Sequence, residues 1–251
     1  MRTVDGEQLK KVLAHLPKNP RVLVSGNFST PKALLALFDE AVPEYRLHML
    51  NAQKGIPNRP GVRYETAFVG TGMRGSDVLD YVPARLSLLP ELIRDYLVPD
   101  VVLIHTSERR FDTVSLGIEV NILPAAIEAV RERGGLVIAQ ANPNMPYTYG
   151  DAQIYENEID YLFEQKEELN IHHAPEIPAT AKEIGRLISD RVSDGSTLQL
   201  GIGSVPDAVL QLLKTRKDLR IWTEMFSDGV LELEKLGALD TEIPITASFI
   251  F

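Results

Sequence analysis

The sequence of 251 residues contains no cysteine. Disulfide bonds, thiolate metal ligands and a cysteine nucleophile are therefore excluded, and the composition fits a reducing compartment. The sequence also lacks any apolar run near the roughly 20 residues that a membrane-spanning helix needs. Its first residues, MRTVDGEQLKKVLAHL, lack the apolar core of a secretory signal. We therefore expect a cytoplasmic protein that has no membrane partner.

Basic residues are outnumbered by acidic ones, with 26 Lys and Arg against 35 Asp and Glu. The resulting formal net charge of −9 argues against nucleic acid as a partner. An anionic small molecule is not excluded, because a few backbone amides can bind phosphate even on an acidic protein. No set of His, Asp and Glu has convincing metal-ligand spacing, so no metal site is expected.

Short β-branched runs alternate with helical stretches, and this alternation predicts an α/β fold with mostly parallel, open sheets flanked by helices. Buried strands are predicted at 22–24 and 100–105. Thr30 and Pro31 indicate a helix start, with Thr as N-cap and Pro in the first turn. A further helix is predicted at 123–133, where two glycines follow and stop it.

The proline-containing stretch at 172–180, HHAPEIPAT, predicts a domain boundary. We expect an N-terminal α/β domain over 1–177 and the start of a second α/β domain over 178–251. His172 and His173, next to this boundary, are expected to lie in solvent.

The second segment begins a fresh β-α-β unit. A strand is predicted at 197–200 and a helix at 206–214, with a tight glycine turn between them. The next strand is predicted at 219–223. A helix that Asp228 caps and a final strand at 245–251 follow.

The glycine turn, in the sequence LGIGSVPDAV, is the first candidate site. Its candidate ligand-binding residues are Gly201, Gly203, Ser204 and Val205. Glycines between a strand and a helix let backbone amides approach a ligand, and the helix N-terminus adds partial positive charge. The turn predicts a phosphate cradle or an oxyanion site; a plain β-α turn is the alternative. Pro206 stands where a dinucleotide fingerprint requires its third glycine.

Glu224 is the second candidate and stands at the end of a predicted strand, in RIWTEMFSDG. If this strand and the strand before the glycine turn are parallel, their carboxyl ends share one sheet edge, where ligands bind in open α/β sheets. A carboxylate beside backbone amides is well placed for nucleophilic catalysis. A solvated or capping glutamate is the alternative that spacing alone leaves open.

Several stretches, in the same order along the chain, together resemble the acetyl-CoA hydrolase/transferase family of the 4-hydroxybutyrate CoA-transferase type. The resemblance extends from about residue 20 to the end. The stretches are VSGNFSTPKALL, YVPARLSLLPELI, FDTVSLGIEVN, IAQANPNMPYTYGDAQIYENEIDYLFE, GIGSVPDAVLQLL and WTEMFSDGVLEL.

The resemblance implies that Glu224 is the catalytic nucleophile of a ping-pong reaction. Its carboxylate attacks the acyl-CoA carbonyl and expels CoA thiolate, which then attacks the resulting anhydride to leave a glutamyl-CoA thioester. A second carboxylic acid takes the CoA by the reverse steps, whereas a hydrolase admits water. Coenzyme A is then a substrate, and no tightly bound cofactor is implied. By the same resemblance, amides of 203–205 stabilise the oxyanion.

Residues that follow two predicted strand ends are weaker candidates for the substrate pocket. They are Ser25, Gly26, Asn27, Gln140, Asn142 and Asn144. A structural turn or loop packing is the alternative for these residues. His105 ends an apolar strand, and a satisfied buried histidine is expected there.

Family members are typically much longer and have a complete second domain, including later glycine-rich loops. A truncated gene product, a cloned fragment and one half of a split enzyme all fit this difference. We expect a homo-oligomer or a partner chain that supplies the missing half, because a half-built domain exposes sheet edges. Three other functions stay open: an acyl-CoA hydrolase, a sugar-phosphate isomerase or sensor, and a non-catalytic binding or assembly module.

Overall fold

The computed structural model describes residues 1–171 and 176–250. The chain divides into two compact units, Met1–Asn170 and Ile171–Phe251. His172 and His173, which were expected in solvent, lie outside the described residues, as does Phe251. None of the described helices is both long enough and apolar enough to span a bilayer.

The first unit alternates strands with helices. Its helices are α1 (Gly6–Leu13), α2 (Lys32–Ala41), α3 (Leu89–Asp95) and α4 (Leu123–Glu132). Its strands are β1 (Arg2–Thr3), β2 (Arg21–Val24), β3 (Tyr45–His48), β4 (Val62–Thr66), β5 (Leu79–Tyr81), β6 (Val101–Thr106), β7 (Thr113–Ser115), β8 (Leu136–Ala141), β9 (Gln153–Tyr155) and β10 (Tyr161–Glu164).

Eight of these strands form one sheet in the order β1-β10-β8-β6-β2-β3-β4-β5, and every neighbouring pair is parallel. Strands β7 and β9 form a separate antiparallel pair. Apolar residues of α1 and α2 belong to one core cluster, and those of α3 and α4 belong to another. The predicted α/β fold with a mostly parallel sheet is therefore confirmed, and helices cover both faces as such a sheet requires.

The order of the strands places a topological switch point between β2 and β6. From β2 the chain builds the sheet outward through β3, β4 and β5, and then returns to β6 on the other side of β2. The crevice outside the carboxyl ends of two such strands is where open α/β sheets bind ligands. The residues that follow β2 and β6 therefore occupy the favoured ligand position of this unit.

The start of α2 differs from the prediction. Pro31 occupies the N-cap position and the helix begins at Lys32, while the Thr30 side chain makes no hydrogen bond within the described part of the chain. The Glu167 carboxylate instead accepts hydrogen bonds from the amides of Lys32 and Ala33, each at 3.2 Å. The prediction that Thr30 is the N-cap was wrong, because the Glu167 carboxylate, which is distant in sequence, accepts hydrogen bonds from these amides. Sequence patterns for capping residues detect only residues next to the start of the helix.

The second unit contains α5 (Ala179–Ser189), α6 (Ser204–Leu212) and α7 (Asp228–Lys235). Its strands are β11 (Thr197–Leu198), β12 (Arg220–Ile221), β13 (Met225–Phe226) and β14 (Phe249–Ile250). The pairs β11–β12 and β13–β14 are both parallel. Apolar residues of α6, α7 and β12 form the core of this unit. Helix α6 begins two residues earlier than predicted, so Ser204 and Val205 lie in its first turn.

Candidate functional site

The parallel pairing of β11 and β12 sets the geometry of the second unit. Thr197 pairs with Arg220, and Leu198 pairs with Ile221. The chain runs from the carboxyl end of β11 into the glycine turn, and from the carboxyl end of β12 to Glu224. The turn and the glutamate therefore follow the same end of two neighbouring strands.

Thr223 joins these two strand ends directly. Its hydroxyl oxygen accepts a hydrogen bond from the Leu200 amide at 3.0 Å and lies 3.3 Å from the Leu200 carbonyl oxygen. Leu200 immediately precedes Gly201, and Thr223 immediately precedes Glu224. This bridge thus joins the residue that precedes the turn to the residue that precedes the glutamate.

The glycine turn ends in a conformation that only glycine adopts readily. Gly203 is the N-cap of α6 with φ 107° and ψ −178°, and no side chain caps this helix. Pro206, in the first turn, has no N–H group, so the first-turn donors come from Ser204 and Val205. Neither of these two amides donates a hydrogen bond within 1–171 and 176–250. Two amide donors at the positive end of a helix are therefore available to a ligand.

The Glu224 side chain is exposed, whereas its neighbours Thr223 and Met225 are buried. Its backbone carbonyl accepts hydrogen bonds from Ser248 and Phe249, which fixes the backbone at this position. None of the described residues forms a hydrogen bond or an ion pair with its carboxylate. The carboxylate is thus accessible, and the backbone that carries it is held in place.

In the first unit, Ser25 and Gly26 bring β2, β6 and the segment after β3 close together. The buried Ser25 hydroxyl accepts a hydrogen bond from the His105 amide at 3.2 Å. A Cβ atom on Gly26 would lie 2.1 Å from the Leu50 carbonyl oxygen. Only glycine therefore fits at this strand end, and the contact that requires it is between backbones.

Asn27, the next residue, belongs to a buried polar chain at the switch point. Its side-chain nitrogen donates to Glu119 Oε2 at 2.6 Å, and its side-chain oxygen accepts from Asn51 Nδ2 at 2.9 Å. Burial raises the pKa of the Glu119 carboxyl to about 8, although the hydrogen bond from Asn27 acts in the opposite direction. Glu119 thus keeps its proton at a pH where an exposed glutamate has lost it.

The strand-end amides after β8 contact protein groups. Gln140 Oε1 accepts from the Leu34 amide at 2.9 Å, and Asn144 Nδ2 donates to the Glu167 carbonyl at 2.8 Å. Asn142 also donates to that carbonyl, at 2.9 Å. The Gln140 bond joins β8 to α2, and the Asn142 and Asn144 bonds fasten the segment after β10. A substrate contact by Gln140 or Asn144 stays a prediction.

His105 is buried at the end of β6, and both ring nitrogens have partners. Asn142 Nδ2 lies 3.0 Å from Nε2, and the Ser29 carbonyl lies 3.2 Å from Nδ1. Because an amide nitrogen donates and a carbonyl accepts, the neutral ring must carry its proton on Nδ1. Burial lowers the pKa of this histidine, which agrees with a neutral ring. The expected satisfied buried histidine is what the structure contains.

Three residues of these networks were missed in the sequence, namely Thr223, Glu119 and Glu167. Thr223 adjoins Glu224 on a predicted strand, so the alternation of buried and exposed residues could have drawn attention to it. Glu119 and Glu167 lie in irregular segments, and their partners are distant in sequence. No group of His, Asp and Glu within the described residues is arranged to hold a metal ion.

Comparison with known proteins gives relatives of one enzyme class. The chain is 34% identical to 4-hydroxybutyrate coenzyme A transferase of Clostridium kluyveri over 246 residues, which cover 93% of this chain. It is 39% identical to a succinyl-CoA:acetate/propanoyl-CoA:succinate CoA transferase of Fasciola hepatica over 240 residues, or 89% of this chain. The chain spans about half the length of these curated relatives, 56% and 49% respectively. No model of a protein family matches it.

Solved structures share the fold over the whole chain. RipA from Yersinia pestis matches with a TM-score of 0.88 at 21% identity, and the match covers 64% of that protein. 4-Hydroxybutyrate CoA-transferase from Porphyromonas gingivalis matches with a TM-score of 0.75 at 23% identity and 62% coverage. Sequence identity over nearly the whole chain and this common fold together show that the chain belongs to the class I CoA-transferase family.

Proposed function

We propose that this chain carries the covalent chemistry of a CoA-transferase, with Glu224 as the catalytic nucleophile. The observation that supports the proposal is the Thr223–Leu200 bridge, which joins the residue before Glu224 to the residue before the Gly201–Val205 turn. The names of relatives that are 30% to 39% identical to this chain support CoA transfer.

The reaction begins when a Glu224 carboxylate oxygen attacks the acyl-CoA carbonyl. The C–S bond breaks and the electron pair leaves with CoA thiolate, which gives a mixed anhydride. The thiolate then attacks the glutamyl carbonyl and releases the acyl group as a carboxylate. A second carboxylate attacks the resulting glutamyl-CoA thioester and takes the CoA by the reverse steps. Each step exchanges one acyl bond for another, so the mechanism calls for no tightly bound cofactor and uses CoA only as substrate.

The turn has the groups that such chemistry needs. Each tetrahedral intermediate places negative charge on the former carbonyl oxygen, and the Ser204 and Val205 amides are free to donate to it. Gly201 and Gly203 allow a ligand to approach the backbone closely. The loss of one oxyanion donor typically slows an enzyme by about 10²–10³. Polar residues at the carboxyl edge of the first unit, including Ser25, Gly26 and Asn27, are proposed to contact substrate.

A hydrolase, in which water takes the place of the second carboxylate, is the nearest alternative. A sugar-phosphate isomerase or sensor needs cations near the turn, but Lys214 follows the far end of α6 and pairs with Glu232 at 4.0 Å. Arg216 donates to the Ser189 carbonyl at 3.1 Å. Both cations are thus placed away from the free amides. A non-catalytic binding or assembly module is the remaining alternative.

We also propose a partner for the second unit, either a second copy of this chain or a chain that corresponds to the part of the relatives that this chain does not span. On β12 and just beyond it, Arg220 and Trp222 are exposed while the alternate residues Ile221 and Thr223 are buried. A parallel sheet is normally covered on both faces, so this exposed face is suited to an interface. Nucleic acid and membrane are not proposed as partners, and a cytoplasmic location is proposed.

The test is covalent capture. The full chain is incubated with acetyl-CoA and its intact mass is measured, with hydroxylamine or borohydride added to a parallel sample. We expect a CoA adduct that these reagents remove and that Glu224→Gln does not form. Glu234→Gln, which changes an exposed glutamate on α7, is the matched control and keeps the adduct. A folded wild-type chain without adduct would favour the binding module instead.

A further inference from the structure

Thr223 lies where the backbone pairing between β11 and β12 stops. The Trp222 amide continues that pairing by donating to the Leu198 carbonyl at 3.0 Å. Because the bonds of a parallel ladder are evenly spaced, the next one would run from the Leu200 amide to the Trp222 carbonyl. The Leu200 amide donates instead to the Thr223 hydroxyl at 3.0 Å. A side chain therefore takes the place of a backbone acceptor at this point.

On its other side, the chain that follows β12 stays paired through its backbone. The Thr223 amide donates to the Thr246 carbonyl at 3.0 Å, and the Glu224 carbonyl accepts from Ser248 and Phe249. Strand β13, which follows Glu224, pairs with β14. Beyond Thr223, the backbone that carries Glu224 is thus held from the side of β14, and the Thr223 hydroxyl joins it to the end of β11.

The Thr223 hydroxyl has two hydrogen-bonding capacities, and both are directed at one residue. Its oxygen accepts from the Leu200 amide at 3.0 Å and lies 3.3 Å from the Leu200 carbonyl oxygen, which can accept its proton. Thr223 is only 6% exposed, so its contacts are with the protein. Valine has nearly the same shape and neither capacity, so this bridge between two backbone segments requires a hydroxyl group.

We propose that Thr223 is a positioning residue, whose hydroxyl sets the spacing between the start of the Gly201–Val205 turn and the backbone that carries Glu224. Leu200 leads directly into the turn, Thr223 leads directly into Glu224, and all of these residues belong to the second unit. This inference rests on the proposed CoA transfer, in which the turn amides and the carboxylate act on the same carbonyl group. Thr223 acts through its neighbours and does not touch the reacting atoms.

The experiment measures how fast the full chain forms the glutamyl-CoA adduct at several acetyl-CoA concentrations. Thr223→Val removes the hydroxyl and keeps the shape of the side chain. We expect the maximal rate to fall by about tenfold to a hundredfold, as a misplacement of about 1 Å typically causes, while the half-saturating concentration changes little. Thr223→Ser retains the hydroxyl and is expected to restore most of the rate.

The matched control is Thr197→Val, which makes the same substitution at an exposed position at the start of β11. This control is expected to leave the adduct rate unchanged. Thr223→Ser and Thr223→Ala provide a second comparison if Thr223→Val does not fold, because these two variants differ only in the hydroxyl group. The serine variant should then form the adduct faster, by about tenfold or more.

Stability is measured beside the rate, because loss of the bridge also destabilises the second unit. Circular dichroism establishes that each variant is folded in the assay, and urea titrations give its midpoint. A residue with a structural role alone would lower the midpoint and keep the wild-type maximal rate.

Thr223→Val at the wild-type maximal rate, or equal rates for the serine and alanine variants, would overturn the inference while leaving the proposed function intact. A wild-type chain that forms no adduct would instead overturn the proposed function, and the positioning role with it.

Discussion

Two glutamates of the first unit, Glu65 and Glu119, are almost equally buried and have opposite electrostatic environments. Burial by itself would raise the pKa of Glu65, but His48 and Arg21 outweigh it and lower that pKa to about 2. His48 Nδ1 is 3.9 Å away, whereas Arg21 donates at 2.7 and 3.2 Å. The guanidinium group is therefore the main partner. The Glu119 carboxyl hydrogen-bonds to one amide, that of Asn27, so burial dominates and raises its pKa to about 8.

Glu119 is predicted to make the protein less stable as the pH rises from about 5 to about 8. The folded state keeps the Glu119 proton up to about pH 8, while the unfolded state loses it above its ordinary value of 4.5. The unfolded state thus binds fewer protons in this window, and the free energy of unfolding falls by up to about 1.4 kcal/mol per pH unit. Urea titrations at several pH values should show this slope in the wild type. Glu119→Gln should flatten it, and an unchanged slope would contradict the prediction.

Glu65 is predicted to make the protein less stable as the pH falls into the acid range. Its folded-state pKa lies below the ordinary value, so its contribution to stability is complete above about pH 4.5 and is lost as the pH falls towards about 2. At neutral pH, Glu65→Gln should lower the free energy of unfolding by about 3 kcal/mol, because it leaves a partly buried guanidinium without its charge partner. The deficit should shrink in acid. Glu91→Gln, which changes an exposed glutamate on α3, should show neither effect.

At the scale of elements, residues at and after the strand ends of the sheet supply polar side chains that hydrogen-bond to neighbouring elements. The N-terminus of α2 illustrates this, because its amides bond to Glu167 from the segment after β10 and to Gln140 at the end of β8. A helix end is thus satisfied by side chains of two other elements.

Removing the carboxylate that caps α2 should weaken the first unit. Glu167→Ala leaves the Lys32 and Ala33 amides without their acceptor, and we expect a loss of about 1 kcal/mol, as for other helix caps. Hydrogen exchange measures this locally as faster exchange at the start of α2. The exposed neighbour supplies the control, Glu168→Ala, which should leave exchange unchanged. Equal exchange in both variants would show that the cap contributes nothing.

The conformation of the turn before α6 depends on Gly203. Alanine at φ 107° is strained, and Gly203→Ala should cost about 1–3 kcal/mol. It should also reduce adduct formation at Glu224, because the Ser204 and Val205 amides move. Gly237→Ala also strains a glycine of positive φ, 69°, but at the end of α7. We expect that control to lower the urea midpoint and retain the adduct; loss of the adduct in both variants would indicate general unfolding.

At the scale of the whole molecule, exposed apolar side chains are concentrated in the second unit. Trp222 is 64% exposed and is the only tryptophan of the chain. Ile184, Leu187 and Ile188 on α5 are also exposed. Ile184, Leu187 and Ile188 share one face of α5 by their spacing, and exposed apolar surface commonly marks an interface, so we expect the chain to associate.

Trp222 allows this association to be measured directly. As the concentration rises, we expect its fluorescence emission to shift to shorter wavelength and the mass from light scattering to exceed that of one chain. Trp222→Gln should displace the equilibrium towards the monomer, because it removes the largest exposed apolar group of that face. Phe111→Gln changes a residue of the first unit that is 95% exposed and should have little effect. A wild-type chain that stays monomeric at high concentration would contradict the interface.

The sequence by itself determined the strand–helix alternation, the glycine turn and the position of Glu224 after a strand. These are local properties, since backbone freedom, hydrophobic periodicity and motif order are all carried by neighbouring residues. Its resemblance to the CoA-transferase family also followed from the order of local motifs.

Only the tertiary structure decided which groups meet. Glu119 contacts Asn27 across 92 positions, and Glu167 caps a helix that begins 135 positions earlier. Nothing in the spacing of these residues predicts such pairs, because sheet order and loop geometry bring them together. The same is true of the two glutamate pKa values. Burial and partners determine whether a carboxyl group is neutral or charged, and both arise only when distant segments pack.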